Sequence, residues 1–425
     1  MHAPVRPLMP ALALTACLVA GCSPAVDDPK GGSAAPPAAS APAPTAEPGL
    51  VAHDPPSWFD ARGKVPLPEE ATAGRTNLAG QVRGGGAGLP LLLHEARAFL
   101  AVPSGVQVVD LVTGRTVGEV SAWGDPLRSD EGSTRPPVLA GTEVLTPALM
   151  ATPASGTHAA GAVLELVAVG TAAPYRASWH TTVELPEWAP RSTKLTVAAV
   201  GAQDGVAVVT VAGDDAAVSY GIDTATHALR WTHPGLTAVA VGTGTVTGLL
   251  DGEPLTPVPV GVDLATGSEK WRGEKTYAPI MEEAGPATIR IAGQRPDGSK
   301  ADRLVDMPTG QPRADMPPGL GSTSCAHDQA QTLVCADAFT ATGVDAATGR
   351  LLWNLRDGVG DRKPPRVTAV WHGRVYGRGA GGPVALDART GADMPTQPEA
   401  APLLVSAYVG IVLDDGRLSS YPAGG

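Results

Sequence analysis

The feature that most limits what this chain can become is a short motif that returns along it. An Asp is followed by Thr-Gly at the third and fourth positions and by Trp at the eighth. The fullest copies are Asp263 with Gly267 and Trp271, and Asp345 with Gly349 and Trp353. A third, Asp223 with Trp231, carries His227 in place of Gly, and His is one of the non-glycine residues enriched at positive φ. Shorter copies open at Asp110 (with Gly114), Asp306 (with Gly310) and Asp387 (with Gly391). An Asp carboxylate accepts N–H bonds from the residues after it, and Gly supplies the positive φ of the exit, so each copy reads as a hairpin turn.

From Asp223 onward the copies stand 40, 43, 39 and 42 residues apart. Periods of this size, filled with short Val-rich runs and turn residues, indicate four-stranded propeller blades. Helical repeats of like period need amphipathic segments of ten or more residues, and the runs here are shorter and β-branched. The fold class is therefore all-β. The Trp is a flat apolar body suited to the wedge between blades, because one blade alone has two bare faces.

Asp110 and Asp223 stand 113 positions apart, room for one large extra blade. Counting back eight from Trp179 puts its degenerate turn at Thr171, with insertions over 123–137 and 151–161. The last residues, 407–421, read as two strands that stop before their turn, while Trp58-Phe59-Asp60-Ala61-Arg62-Gly63-Lys64 reads as the missing turn and final strand. Strands from both termini would then seal the ring and remove an exposed sheet edge. Asp60, Asp110, Thr171, Asp223, Asp263, Asp306, Asp345 and Asp387 make eight blades, or seven if the first belongs to a linker. A ring so closed is expected to be monomeric.

The N-terminus has its own pattern. Arg6 precedes an apolar stretch from Leu8 to Ala20, too short for a permanent span, and small residues follow it. Residues 1–21 are expected to be a signal peptide. Residues 22–56 are rich in Ala, Pro and Ser and lack the apolar surface to offset chain entropy, so they are expected to form a disordered tether. In polyproline-like conformation it would extend on the order of 100 Å at about 3.1 Å per residue. Residues 57–425 form the propeller domain.

Charge and motif content exclude several classes. With a net charge of −11 and no basic stripe, the chain carries no nucleic-acid footprint. Its nine His form no His-Glu-x-x-His or similar ligand spacing, and no Gly-x-Ser-x-Gly elbow or phosphate loop occurs. No catalytic or metal-binding residue is expected, and no cofactor. Loops are where propellers place function, and the two candidates are 124–137, with Asp125, Arg128, Asp130, Glu131 and Arg135, and 356–366. Cys325 and Cys335 flank a turn on adjacent strands of one blade, a placement that suits a structural disulfide in an exported chain.

Two resemblances extend this reading. Val19-Ala20-Gly21-Cys22 resembles a bacterial lipobox, which implies cleavage before Cys22 and its acylation, palmitate included, with anchoring to the membrane's outer, extracytoplasmic face. The Asp-x-x-Thr-Gly-x-x-x-Trp repeat resembles that of the pyrroloquinoline-quinone (PQQ)-like propellers, best at 223–231, 263–271 and 345–353. That superfamily holds quinone-dependent dehydrogenases as well as lipoproteins without an assigned activity, so fold alone does not choose. Its dehydrogenases carry an adjacent Cys-Cys disulfide and calcium ligated by Glu, Asn and Asp. This chain has no adjacent Cys pair, and its Asn are Asn77 and Asn354. The expectation is a non-catalytic binding or scaffolding module, with a possible protein partner at the cell surface. The alternative is a quinone-dependent oxidoreductase or another enzyme with a site on the propeller axis.

Overall fold

In the computed structural model, residues 50–72, 88–127, 135–154, 161–193, 195–251 and 256–425 are described. They form eight antiparallel sheets arranged as the blades of a propeller ring. Blade 1 covers residues 91–121, blade 2 125–184, blade 3 196–234, blade 4 236–272, blade 5 277–315, blade 6 324–356, blade 7 366–387, and blade 8 404–424 together with 58–66. First strands touch in series from blade 2 to blade 8 and so line the axis, while fourth strands form the rim.

Burial follows from that placement. A second or third strand is covered on both faces by neighbouring blades, so Val206–Ala212 and Ala217–Asp223 are buried almost throughout. The rim strand Leu229–Pro234 is mostly exposed, with Trp231 as its buried residue. The core is consequently a series of wedges, each a cluster shared by two blades.

Chain ends close the ring as expected, but by a different local structure. Trp58–Phe59 and Val65–Pro66 both pair with Arg417–Gly424, so residues 58–66 are one interrupted outer strand and Asp60 opens no hairpin turn. The motif residue that blade 8 does keep is Trp58, which lies over Gly424. Blade 7 also departs from four strands. After Gly382–Asp387 its chain makes a single bridge, Leu386 to Asp393, and no fourth strand. Blades 2 and 8 have five strand segments each. Residues 53–56, grouped with the tether by composition, hydrogen-bond to the ring: the His53 N–H donates to the Ala407 carbonyl (2.6 Å), and Tyr376 Oη donates to the Pro56 carbonyl (2.6 Å).

Each blade has turns at two ends. The turn between its first two strands and the Asp-Thr-Gly turn lie side by side, joined by bonds such as Leu264 N–H to the Gly244 carbonyl (3.1 Å) and Met307 N–H to the Ala287 carbonyl (3.1 Å). This is the turn face. The opposite, connection face carries the turns between second and third strands and the links from blade to blade.

Candidate functional site

The repeat residues are best understood one bond at a time. In each copy an Asp Oδ1 accepts the N–H groups of the following residues: Val112 and Thr113 at 3.0 and 2.8 Å from Asp110, Ala225 and Thr226 at 2.8 and 2.7 Å from Asp223, Arg389 and Thr390 at 3.0 and 2.8 Å from Asp387. Gly114, Gly267, Gly310, Gly349 and Gly391 then turn the chain at φ between 66° and 70°. His227 does the same at 60°, and its ring stacks on Trp179 of blade 2 with centroids 4.5 Å apart. These bonds hold charge. The amides of Thr226 and Ala225 keep the Asp223 carboxyl far below the usual carboxylate range. Burial works against the charge on Asp306 and Asp345, yet Thr309 with Arg313, and Thr348 with Arg389, hold both below it as well.

Each motif Trp joins two blades. Its indole N–H donates across the wedge to the carbonyl just after the next blade's Asp: Trp231 to Leu264 (2.8 Å), Trp271 to Met307 (2.7 Å), Trp353 to Ala388 (2.8 Å). The ring lies between two glycines. Those of its own third strand, Gly221, Gly261 and Gly343, would bring a Cβ to within 2.1 to 2.2 Å of the indole. The turn glycines of the next blade, Gly267, Gly310 and Gly391, would bring one to within 2.5 to 2.8 Å. The Gly two residues before the Asp is thus part of the motif, and sequence reading passed over it although it recurs at a fixed spacing.

A basic residue seven after the Asp completes some copies. Arg230 pairs with Asp223 (2.6 Å), Arg313 bonds Asp306 and reaches Thr288 (2.8 Å), and Lys270 reaches Thr245 (2.8 Å). Blades 1 and 6 have Val117 and Leu352 there, and other arginines take over: Arg97 on Asp110 (2.7 Å) and Arg389 on Asp345 (2.8 Å).

Cys325 and Cys335 stand directly opposite on adjacent strands of blade 6 and are disulfide-bonded. Against them lies an ion cluster that sequence reading missed. Arg290, wholly buried, bonds Asp302 (2.8 and 2.9 Å), Glu282 (3.0 Å), the Thr323 carbonyl (2.8 Å) and Cys325 Sγ (3.0 Å). Burial pushes the Glu282 carboxyl up, and Arg290 pulls against it. The cluster ties blade 5 to the link leading into blade 6.

The 356–366 loop and the described ends of the other candidate loop, residues 124–127 and 135–137, lie on the connection face. Arg128, Asp130 and Glu131 fall outside the described residues, as does Cys22. Four exposed apolar residues share that face: Trp123 (71% exposed), Phe339 (66%), Val359 (63%) and Tyr277 (45%). Trp123 stacks its ring on His180 with centroids 4.4 Å apart, and its backbone N–H donates to the buried Glu165, which also bonds His180 (2.6 Å). The Asp357 N–H donates to the Phe339 carbonyl (2.9 Å), which sets Phe339 and the 356–366 loop side by side.

No protein-family model matches the chain, and no curated protein matches it. Solved structures do match. BamB from Moraxella catarrhalis is 14% identical over 78% of this chain and 95% of that one, with a TM-score of 0.45. The Dos1 propeller is 11% identical over 78% and 90%, with a TM-score of 0.46, and a eukaryotic initiation factor is 10% identical over 77% and 83%, at 0.44.

Proposed function

We propose that this chain is an exported, lipid-anchored propeller of the PQQ-like kind, working as a non-catalytic binding or scaffolding module on the extracytoplasmic face of the membrane. The observation that carries the reading is a division of labour. The motif's Asp, Gly and Trp residues are committed to turns and wedges, while Trp123, Tyr277, Phe339 and Val359 stand exposed on one face. Exposed aromatic side chains beside polar loops are what protein-protein interfaces draw on. Anchoring rests on Val19-Ala20-Gly21-Cys22. The residues do not fit a quinone site, since the disulfide staples opposed strands ten residues apart rather than adjacent cysteines.

The test has three arms. Metabolic palmitate labelling should mark the native protein in the membrane fraction, and Cys22→Ala should lose both label and membrane association; an unlabelled native protein would refute the anchor. In-cell crosslinking should capture a partner that Trp123→Ser with Phe339→Ser no longer captures. Dye reduction on adding PQQ and calcium would refute the non-catalytic reading.

A further inference from the structure

Three positions before the motif Asp, the other copies carry an uncharged residue: Gln107, Tyr220, Val260, Thr342 and Val384. Blade 5 breaks the pattern with Arg303. It stands directly opposite Ile291, so both side chains enter the wedge shared with blade 4. The arginine side chain is 20% exposed. Among the described residues its one partner is Glu274, whose Oε2 accepts from Nη2 (3.2 Å) and also from Arg295 Nε (3.2 Å). Asp315, opposite it on the rim strand, is not bonded to it, and its Nε is buried without a partner. Arg290 of the same blade, by contrast, is bonded through all three of its nitrogens. A guanidinium has five N–H groups, and a buried one ordinarily has them matched.

A cavity of about 290 Å³ opens beside Arg303 on the outer flank of this wedge. Trp271, Ile291, Ala301 and Val305 give it an apolar wall. Trp271 is only partly covered, unlike Trp231 (7% exposed) and Trp353 (9%). Of the charged groups around the cavity, Arg272 is held by Glu269, while Glu274 alone serves both Arg295 and Arg303. One positive charge is therefore left over, in a chain whose net charge is −11. The Glu274 carboxylate at the mouth would repel a phosphate dianion more strongly than a monoanion.

We propose that this cavity binds a carboxylate carried on an apolar stem. The carboxylate takes N–H groups of Arg303 that Glu274 leaves unmatched, and the stem lies along Trp271 and Ile291. Forked N–H groups on a partly buried guanidinium suit the two oxygens of a carboxylate, and the apolar wall suits the methylenes behind them. A glutamate side chain of a partner polypeptide and a free aliphatic acid both have this chemistry. The site is on the rim and does not depend on the partner that Trp123 and Phe339 would meet.

Nitrogen-edited NMR of the tryptophan indoles in the full-length chain tests it, because Trp271 lines the cavity and its N–H is fixed on the Met307 carbonyl. The spectrum of Trp271→Phe identifies that signal. Sodium pentanoate and N-acetyl-glutamyl-methylamide should each move it saturably, and the matching amides, pentanamide and N-acetyl-glutaminyl-methylamide, should bind about tenfold more weakly or not at all. Arg303→Gln should abolish the preference for the acid yet melt at or above the native temperature, since a buried charge with one partner does not support the fold. Glu274→Gln, at an exposed position, should tighten binding of the acids several-fold by releasing Arg303 from its competitor. An unmoved Trp271 signal, equal binding of acid and amide, tighter binding of inorganic phosphate, or unchanged binding in Arg303→Gln would overturn the site. Tighter binding of the capped glutamate assigns the site to a partner polypeptide, and tighter binding of pentanoate assigns it to a free acid.

Discussion

At the scale of single residues, glycine and tryptophan form a reciprocal pair. Trp353 can lie flat because position 343 has no side chain, and Gly343 is required because the indole lies there, with a Cβ at that position placed 2.2 Å from Nε1. The pair therefore behaves as a unit. Trp353→Ala is expected to cost about 3 to 5 kcal/mol, from lost burial and the unfilled wedge. Gly343→Ala should cost about 1 to 3 kcal/mol through overpacking. Made together, the two should cost clearly less than their sum, since a methyl can enter the space the indole leaves. Guanidine melts of the three variants check this, and strict additivity would disprove the pairing. Blade 5 shows the same exchange in natural form, with Leu304 over Ala314 in place of glycine under tryptophan.

At the scale of elements, the junction of blades 5 and 6 stands apart from its neighbours. It lacks a tryptophan and has instead a disulfide and a buried arginine. Arg290 holds two carboxylates of its own blade and two carbonyls of the following link, Leu320 and Thr323. Removing one member of a buried ion pair leaves the other charge without compensation, so Arg290→Ala should destabilise by about 3 to 5 kcal/mol. Adding Glu282→Gln and Asp302→Asn should recover part of that loss, because the carboxylates then need no counter-charge. Denaturant midpoints of the single and triple variants give the answer, and an Arg290→Ala protein as stable as the native one would show that the cluster does not hold the junction.

At the scale of the whole molecule, the ring is closed by its own termini. Residues 58–66 pair with Arg417–Gly424, and Asp54 adds a clasp, accepting from Trp371 Nε1 (3.0 Å) and bonding His372 (2.5 Å). A chain beginning at Leu67 would expose the edge of Arg417–Gly424 along its length. Open edges recruit other strands, so this truncation should lower the melting temperature and produce oligomers on size-exclusion chromatography. A truncated chain that stays monomeric and melts like the native one would mean that closure is dispensable.

Repeat spacing by itself determined the fold class, narrowed the blade count to eight or seven and indicated closing of the ring by both ends, because a turn of Asp and Gly is a local event that leaves its residues in order along the chain; the eighth sheet was decided by the pairing of residues 58–66 with Arg417–Gly424. The same local logic made His227 legible as a positive-φ substitute, and Cys325 and Cys335 as a facing pair. Tertiary structure alone decided what those residues meet. That Trp58 belongs over Gly424, that Arg389 serves an Asp in the preceding blade, and that Arg290 gathers partners from distant segments are facts of juxtaposition between blades. Blade 7 lost its fourth strand although its turn at Asp387 is intact, since a turn dictates a reversal of the chain and not the pairing that follows.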